Sequence, residues 1–414
     1  MRALCPAFAI ASLLCAAIPA QTPGAAIQGQ VPGYPTDLAM DGFAPFVDSA
    51  GAPLRVAAKA VGIADLDGDH NPDVWFLGDG AQTGEVAVRL ANSAGLGRFH
   101  RRDSMKSSSF VTGATFHTSS LGVDQLLMVD PNSDQLSLLN WYPRVPKGDP
   151  RDGYLGGGPS GWKTGTGVYE IVTADVDRNG HDEILVLRSL PNNGTEVIKL
   201  VMGTVKNTYL SVDSTVSVVL PVRLEMLQVL DVDGDRQADF AAHAPGYGVV
   251  TFRDSGQGSF VFDRFLPFAA NTVVDLAAGD LDLNRCDDLA ICLRNGVIVL
   301  RHHPVGNPDF PSGFDYQVFP NPAGVGNLAT CRILDGNGRG TGGGLLLGFP
   351  ADGSGVVAHP GDPQQFGSSE PWVQPAPADL SGPGPLGRFV LVGDFDNDHD
   401  PDVLLQAPSG KEWL

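Results

Sequence analysis

Apolar residues in this chain gather into short runs that come in pairs, with a nine-residue polar loop between the two members of each pair. VYEIVTA over 168–174 precedes one loop and EILVL over 183–187 follows it; RFVLVG over 388–393 and DVLLQ over 402–406 flank another. Runs of this length, alternating or continuously apolar and bounded by turn residues, read as β-strands. Each pair is therefore expected to be an antiparallel hairpin.

The loops share one pattern. They read DLDGDHNPD over 65–73, DVDRNGHDE over 175–183, DVDGDRQAD over 231–239, DLDLNRCDD over 280–288 and DFDNDHDPD over 394–402. Every copy has Asp at positions 1 and 3, Asp or Asn at 5, and Asp or Glu at 9. Side-chain oxygens at this spacing suit one hard cation, since Ca²⁺ takes about six to eight oxygen ligands. An EF-hand would need a Glu at position 12 and flanking helices. Position 12 is Phe76, Val186, Ala242, Ile291 and Leu405, and the flanks lack helical periodicity. Asp and Gly also build ordinary turns, but five copies in register argue for a shared ligand.

Position 9 falls at 73, 183, 239, 288 and 402, so two gaps are double width. Degenerate copies are expected there. One is DQLLMV over 124–129, after a strand over 110–117; the other is DGNGRG over 335–340, between 328–334 and 345–347. Seven units of about 55 residues, each with about four short strands, predict an all-β chain: a seven-bladed β-propeller of four-stranded antiparallel blades. Strands three and four of the first unit are expected at 86–90 and 95–99, and those of the fourth at 249–253 and 256–260. The segment DGFAPFV over 41–47 resembles the strand-four pieces, so an N-terminal strand is expected to complete the last blade and close the ring.

Residues 1–20 carry Arg2, an apolar core and a small residue at the end, the pattern of a secretory signal peptide cleaved after Ala20. Residues 21–40 then form a linker and 41–414 the propeller. Ser12-Leu13-Leu14 lacks the small residue expected just before a lipidated Cys15. No other stretch approaches about 18 apolar residues. The mature chain is accordingly expected to be secreted, periplasmic or at the cell surface, without membrane insertion, and monomeric. Its formal net charge of −20 is concentrated in the loops. That charge argues against nucleic acid, whose binding rests on Lys and Arg, and against strongly anionic polymers. Cys286, Cys292 and Cys331 remain after cleavage, enough for at most one disulfide, with buried core thiols as the alternative.

The loops resemble those of the FG-GAP/VCBS repeat family, whose D-x-D-x-[DN]-G-x-x-D turns bind calcium in propellers such as the integrin α-subunit head. The sequence N-x-x-G-x-G-x-F over 92–99 is closer to the VCBS branch. The resemblance spans about residues 41–414 and implies about five structural Ca²⁺. It implies side-chain ligands Asp65, Asp67, Asp69 and Asp73; Asp175, Asp177, Asn179 and Glu183; Asp231, Asp233, Asp235 and Asp239; Asp280, Asp282, Asn284 and Asp288; and Asp394, Asp396, Asp398 and Asp402. The position-7 residues Asn71, His181, Gln237, Cys286 and Asp400 would add a backbone carbonyl each. Position 6 is usually Gly in the family; here only Gly180 conforms, and His70, Arg236, Arg285 and His399 replace it. The second unit retains only Asp124 and the sixth places Arg339 at position 5, so both are expected to hold no metal.

Catalytic patterns are absent: no G-x-S-x-G, no H-E-x-x-H and no phosphate-binding glycine loop. His70, His181 and His399 are expected to face solvent, and His302-His303 reads as a solvated loop pair. The glycine runs 156–158 and 342–344 read as blade connections, and Asn193-Gly194-Thr195 matches a glycosylation acceptor. The segments 142–162 and 366–385 read as irregular. Their Tyr142, Tyr154, Trp162 and Trp372 are candidates for stacking on sugars or clasping a peptide, with hydrophobic plugs as the alternative. Together these features predict a non-enzymatic binding or scaffolding module for an extracellular protein or glycan. The alternatives are a propeller polysaccharide lyase or other carbohydrate-active enzyme, and an adhesion domain that binds through calcium.

Overall fold

The computed structural model describes residues 60–405 except 79–85, 92–98, 106–108, 119–121, 144–152, 203–211, 282–283, 310–311, 321–329, 335–343, 349–354, 359–368, 373–389, 394–401 and the single positions 178, 271 and 295. The expected signal peptide, the linker and the strand over 41–47 lie outside them.

Twenty-six strands form antiparallel sheets in sequence order. The first sheet is β1 (Ala60–Ala64), β2 (Asp73–Leu77), β3 (Val86–Ala91) and β4 (Phe99–Met105). The second is β5 (Thr112–Phe116), β6 (Gln125–Val129), β7 (Gln135–Pro143) and β8 (Gly153–Lys163). The third is β9 (Val168–Ala174), β10 (Glu183–Ser189), β11 (Thr195–Met202) and β12 (Val212–Leu220). The fourth is β13 (Glu225–Leu230), β14 (Asp239–Ala244), β15 (Gly248–Asp254) and β16 (Phe260–Pro267). The fifth is β17 (Val273–Gly279), β18 (Asp288–Leu293), β19 (Gly296–His302) and β20 (Phe314–Pro320). The sixth is β21 (Thr330–Leu334), β22 (Gly344–Gly348), β23 (Gly355–Ala358) and β24 (Ser369–Trp372). The last has two strands among the described residues, β25 (Val390–Gly393) and β26 (Asp402–Leu405). First strands of successive sheets lie side by side, and β25 touches both β21 and β1.

Continuous apolar runs in the second strands follow from burial on both faces. Leu126 and Met128 of β6 pack against Trp75, Leu77 and Val88 of the first sheet. Their neighbours Leu127 and Val129 pack instead against Ile171, Ile184 and Val186 of the third. β10 repeats the division, with Ile184 and Val186 facing back and Leu185 and Leu187 facing Phe240 and Phe252 of the fourth sheet. Alternate side chains point to opposite faces of a strand, so a strand between two sheets needs apolar residues at every position.

Three expectations are corrected. Strand four begins later than 95–99 or 256–260. Gly256 and Gly258 have positive φ, at 65° and 80°, and form the β15–β16 turn, while Phe260 opens the strand. The 156–158 glycine run is part of β8 rather than a connection, opposite Asn140, Leu139 and Leu138. A Cβ on Gly157 would sit 2.1 Å from the Leu138 carbonyl oxygen, so only glycine fits that approach. The 142–162 segment is largely two paired strand ends. Tyr142 and Tyr154 stack across them, exposed, with centroids 5.5 Å apart. Trp162 is a buried core residue edge-on to Phe116. Trp372 ends β24 and the rest of 366–385 lies largely outside the described residues.

Polar bonds register the sheets against one another. The Trp75 indole N–H donates to Thr115 Oγ1 at 2.8 Å, and that hydroxyl donates to the Ile63 carbonyl at 2.5 Å, joining the first two sheets. Between the third and fourth sheets, Lys199 and Asp254 form an ion pair at 2.9 Å with both side chains buried. Removing one partner of such a pair strands the other charge, which costs about 3–5 kcal/mol. Lys199→Met is therefore expected to lower the chemical-denaturation free energy by about that amount, and Lys199→Met with Asp254→Leu to recover much of it.

Candidate metal centres

Each nine-residue loop is held by backbone amides that aim at its own carboxylates. The position-1 Asp carboxylate accepts the N–H of position 4 or 5 on one oxygen and of position 6 on the other. In the first loop Gly68 donates to Asp65 Oδ1 at 2.8 Å and His70 to Oδ2 at 3.1 Å. Asp175 receives Asn179 and Gly180, each at 2.9 Å. Asp231 receives Gly234 and Arg236, at 2.8 and 2.9 Å, and Asp280 receives Asn284 and Arg285, at 3.0 and 2.9 Å. The position-7 N–H donates to the position-5 side chain in all four: Asn71 to Asp69, His181 to Asn179, Gln237 to Asp235 and Cys286 to Asn284. The position-9 carboxylate accepts the position-2 N–H, from Leu66, Val176, Val232 and Leu281.

These turns converge the acids. One oxygen each from Asp65, Asp67 and Asp73 lies within 4.8 Å of the others, and the same holds for Asp175, Asp177 and Glu183 and for Asp231, Asp233 and Asp239. Ligands about 2.3–2.6 Å from one Ca²⁺ have such separations. The donor set is all oxygen, and Asp67 Oδ2 is buried without a hydrogen-bond partner. The residues thus fit a calcium ion. Asp282 and the Asp394, Asp396, Asp398 and Asp400 positions lie outside the described residues, as does the sixth unit's loop with Arg339. Asp402 opens β26 as its position-9 counterparts open their strands.

Without a metal these carboxyls resist ionisation. Burial, then Asp69, pushes Asp67 up to about 7. Burial, with Asp177 and Asp175 adding, raises Glu183 to about 7. Burial, with Asp233 and Asp235 adding, raises Asp239 to about 8. The three centres differ, because Arg253 Nη1 donates to Asp233 Oδ2 at 3.0 Å and already supplies a cation there.

Position 6 adopts the left-handed backbone whatever its residue: φ is 66° at His70, 84° at Gly180, 65° at Arg236 and 79° at Arg285. The loop keeps its family curvature, at a cost of about 1–2 kcal/mol for each non-glycine. The second unit is corrected by one residue. Phe116 pairs with Gln125 as Ala174 pairs with Glu183, so Gln125 occupies position 9, Asp124 position 8 and His117 position 1. Gly122 stands at position 6 with φ 65°.

Position 8 was overlooked as a functional position. Asp124 Oδ2 accepts the Asp65 N–H at 2.7 Å while its own N–H donates to the Asp65 carbonyl at 2.7 Å. Asp182 makes the same reciprocal pair with His117, and Asp287 with Asp231. An acid directly before the second strand, in VDQ, HDE and CDD, was the available signal. Histidine expectations also change. His70 is exposed, but His181 Nδ1 lies 2.7 Å from Thr118 Oγ1 of the neighbouring sheet. His302 and His303 are buried, not solvated: His302 Nδ1 bonds the Asp287 carbonyl at 2.7 Å, and desolvation lowers its pKa to about 4. Cys286 and Cys292 are buried free thiols. Burial, helped by Asp231 and Asp288, raises Cys286 to about 12, so its sulfur is no metal ligand at neutral pH.

On the loop face a cavity of about 420 Å³ spans the third, fourth and fifth sheets, lined by Asp175, Asp231, Arg236, Arg285, Asp287 and small apolar residues. A second, of about 480 Å³, opens between β8 and β12 beside Trp162 and Lys163.

No family model matches the chain, and no curated protein matches it either. Among solved structures it is similar to BBS1N in complex with ARL6DN, from crystals soaked with lead: 11% identity, 87% of this chain and 92% of that chain covered, TM-score 0.52. The same complex soaked with mercury gives 9% identity, the same coverage and a TM-score of 0.53. This likeness shows the fold alone: antiparallel sheets packed face to face as the blades of a β-propeller.

A carboxyl whose pKa is raised in the fold binds protons more readily folded than unfolded. Its stabilising contribution is full below about pH 4, the ordinary carboxyl value, and is lost as pH rises through the folded value. For Asp67, Glu183 and Asp239 that window runs from about 4 to 7–8. The chelated protein is expected to melt progressively lower from pH 5 to pH 8. In excess calcium the trend reverses, because metal displaces protons from its ligands. Thermal melts across pH with chelator and with calcium check both signs.

Proposed function

We propose that this chain is a secreted, calcium-tied, seven-bladed propeller of FG-GAP/VCBS type that serves as a non-enzymatic binding or scaffolding module for an extracellular protein or glycan. The observation that carries the calcium reading is the convergence of three oxygen sets within 4.8 Å, one of them with the orphaned Asp67 oxygen. Carboxylates at positions 1, 3, 5 and 9, with the carbonyl at 7, would hold each ion. Calcium would neutralise the clustered acids and pin the turn between strands one and two. Around it, loop amides orient the carboxylates and the position-8 acids fix each loop to its neighbour.

Seven blades are supported by six four-stranded sheets and a seventh pair, and a closed ring by β25 touching both β21 and β1. The segment over 41–47 would then supply a strand to the last blade. Binding rather than catalysis is supported by the chemistry of the histidines: His302 and His303 are buried beneath the fifth loop, not poised in an open cleft. BBS1N is seen in complex with ARL6DN, and the same fold presenting a partner surface there accords with a binding role here. The exposed Tyr142–Tyr154 stack is one surface such a partner would find.

A thermal-shift panel of polysaccharides and extracellular proteins, run with calcium and with chelator, tests the reading. Chelation should lower the melting point by many degrees, and a true ligand should raise that of the calcium-loaded protein. Indifference to chelation would sink the metal assignment, and cleavage of a stabilising polysaccharide would replace the binding module with a lyase.

A further inference from the structure

The cavity on the loop face contains two cations that the fold itself does not use. Arg236 and Arg285 occupy position 6 of adjacent loops, line the same 420 Å³ space and are exposed. No hydrogen bond or ion pair of either side chain is found among the described residues, whereas Arg253 and Arg301 are paired with aspartates. Both stand at positive φ, 65° and 79°, where the loop itself favours glycine. Folding alone gives no reason for a long cationic side chain at either position.

The acids around them are engaged. Asp175 and Asp231 accept loop amides on both oxygens, and Asp287 Oδ2 accepts the Asp231 N–H. Their remaining acceptor capacity suits hydroxyl donors, since each carboxylate has about four lone-pair sites. Two guanidinium groups beside hydroxyl acceptors, in a space of monosaccharide size, match a hydroxylated monocarboxylate.

We propose that Arg236 and Arg285 form a site for a sugar acid of the uronate class, the carboxylate held by the two guanidinium groups and ring hydroxyls by the aspartates. The site takes one acid group, so the chain's aversion to polyanions is unaffected. This names a ligand class for the binding-module reading and rests on it.

Calorimetric titration of the calcium-loaded protein with galacturonate, galactose and acetate tests the site. Galacturonate should bind, with galactose and acetate each weaker by about tenfold or more, the discrimination expected of charge-assisted bonds combined with hydroxyl contacts. Arg236→Gly and Arg285→Gly should each weaken galacturonate by about tenfold or more. Both variants should melt no lower than the parent, since glycine suits the backbone there. Equal binding of all three probes, unchanged affinity in both variants, or no heat with galacturonate up to tens of millimolar would each overturn the proposal. A protein that keeps its calcium-dependent melting point and responds to another ligand of the panel, yet ignores galacturonate, loses this site and retains the binding-module reading.

Discussion

Every sheet whose side chains are described has a second strand buried on both faces, and that constraint organises the molecule. Leu126 and Leu127 are neighbours in sequence but belong to different cores. No sheet can satisfy such a strand alone, because one of its faces would meet water at about 25 cal/mol per Å² of apolar surface. The sheets must therefore stack in order, which brings their first strands side by side and places the acidic loops together on one face.

That gathering creates an electrostatic problem. Carboxylates at positions 1, 3 and 9 face each other with partial burial, and loop amides relieve only some of the repulsion, as the raised values of Asp67, Glu183 and Asp239 show. A divalent ion is the economical remedy, and Arg253 at Asp233 shows the chain using a cation of its own for the same end. The left-handed position 6 keeps the turn tight enough for convergence even where the residue is arginine.

Much of this was legible. The apolar runs and the nine-residue spacing located the first two strands of every sheet, because both are set by local sequence. What escaped notice depended on neighbours. Asp124 was aligned as a ligand because it is the acid nearest the strand; pairing shows that Gln125 holds that place, and Gly122 was the overlooked marker. His302 and His303 read as loop residues by polarity, yet they lie buried under the fifth loop, where the Asp287 carbonyl meets one imidazole. The glycines of β8 read as a turn because their reason for being glycine, the Leu138 carbonyl, comes from another strand.

The position-8 aspartates always reach from a later sheet to the loop of the one before. Between the third and fourth sheets position 8 is Ala238, and there the bonds run the other way: Tyr169 donates to the Leu224 carbonyl, Glu170 accepts the Leu227 N–H, and Lys199 meets Asp254. The third sheet thus supplies side chains to both of its seams, through Asp182 behind and Tyr169, Glu170 and Lys199 ahead. A repeat chain grows by duplicating and exchanging units, and a unit travels freely only when its two borders are interchangeable. The third is not such a unit. Copied or moved elsewhere in the ring, it would meet neighbours that already carry its backward bond and offer nothing to its forward ones, so the present order of units is locked at that point.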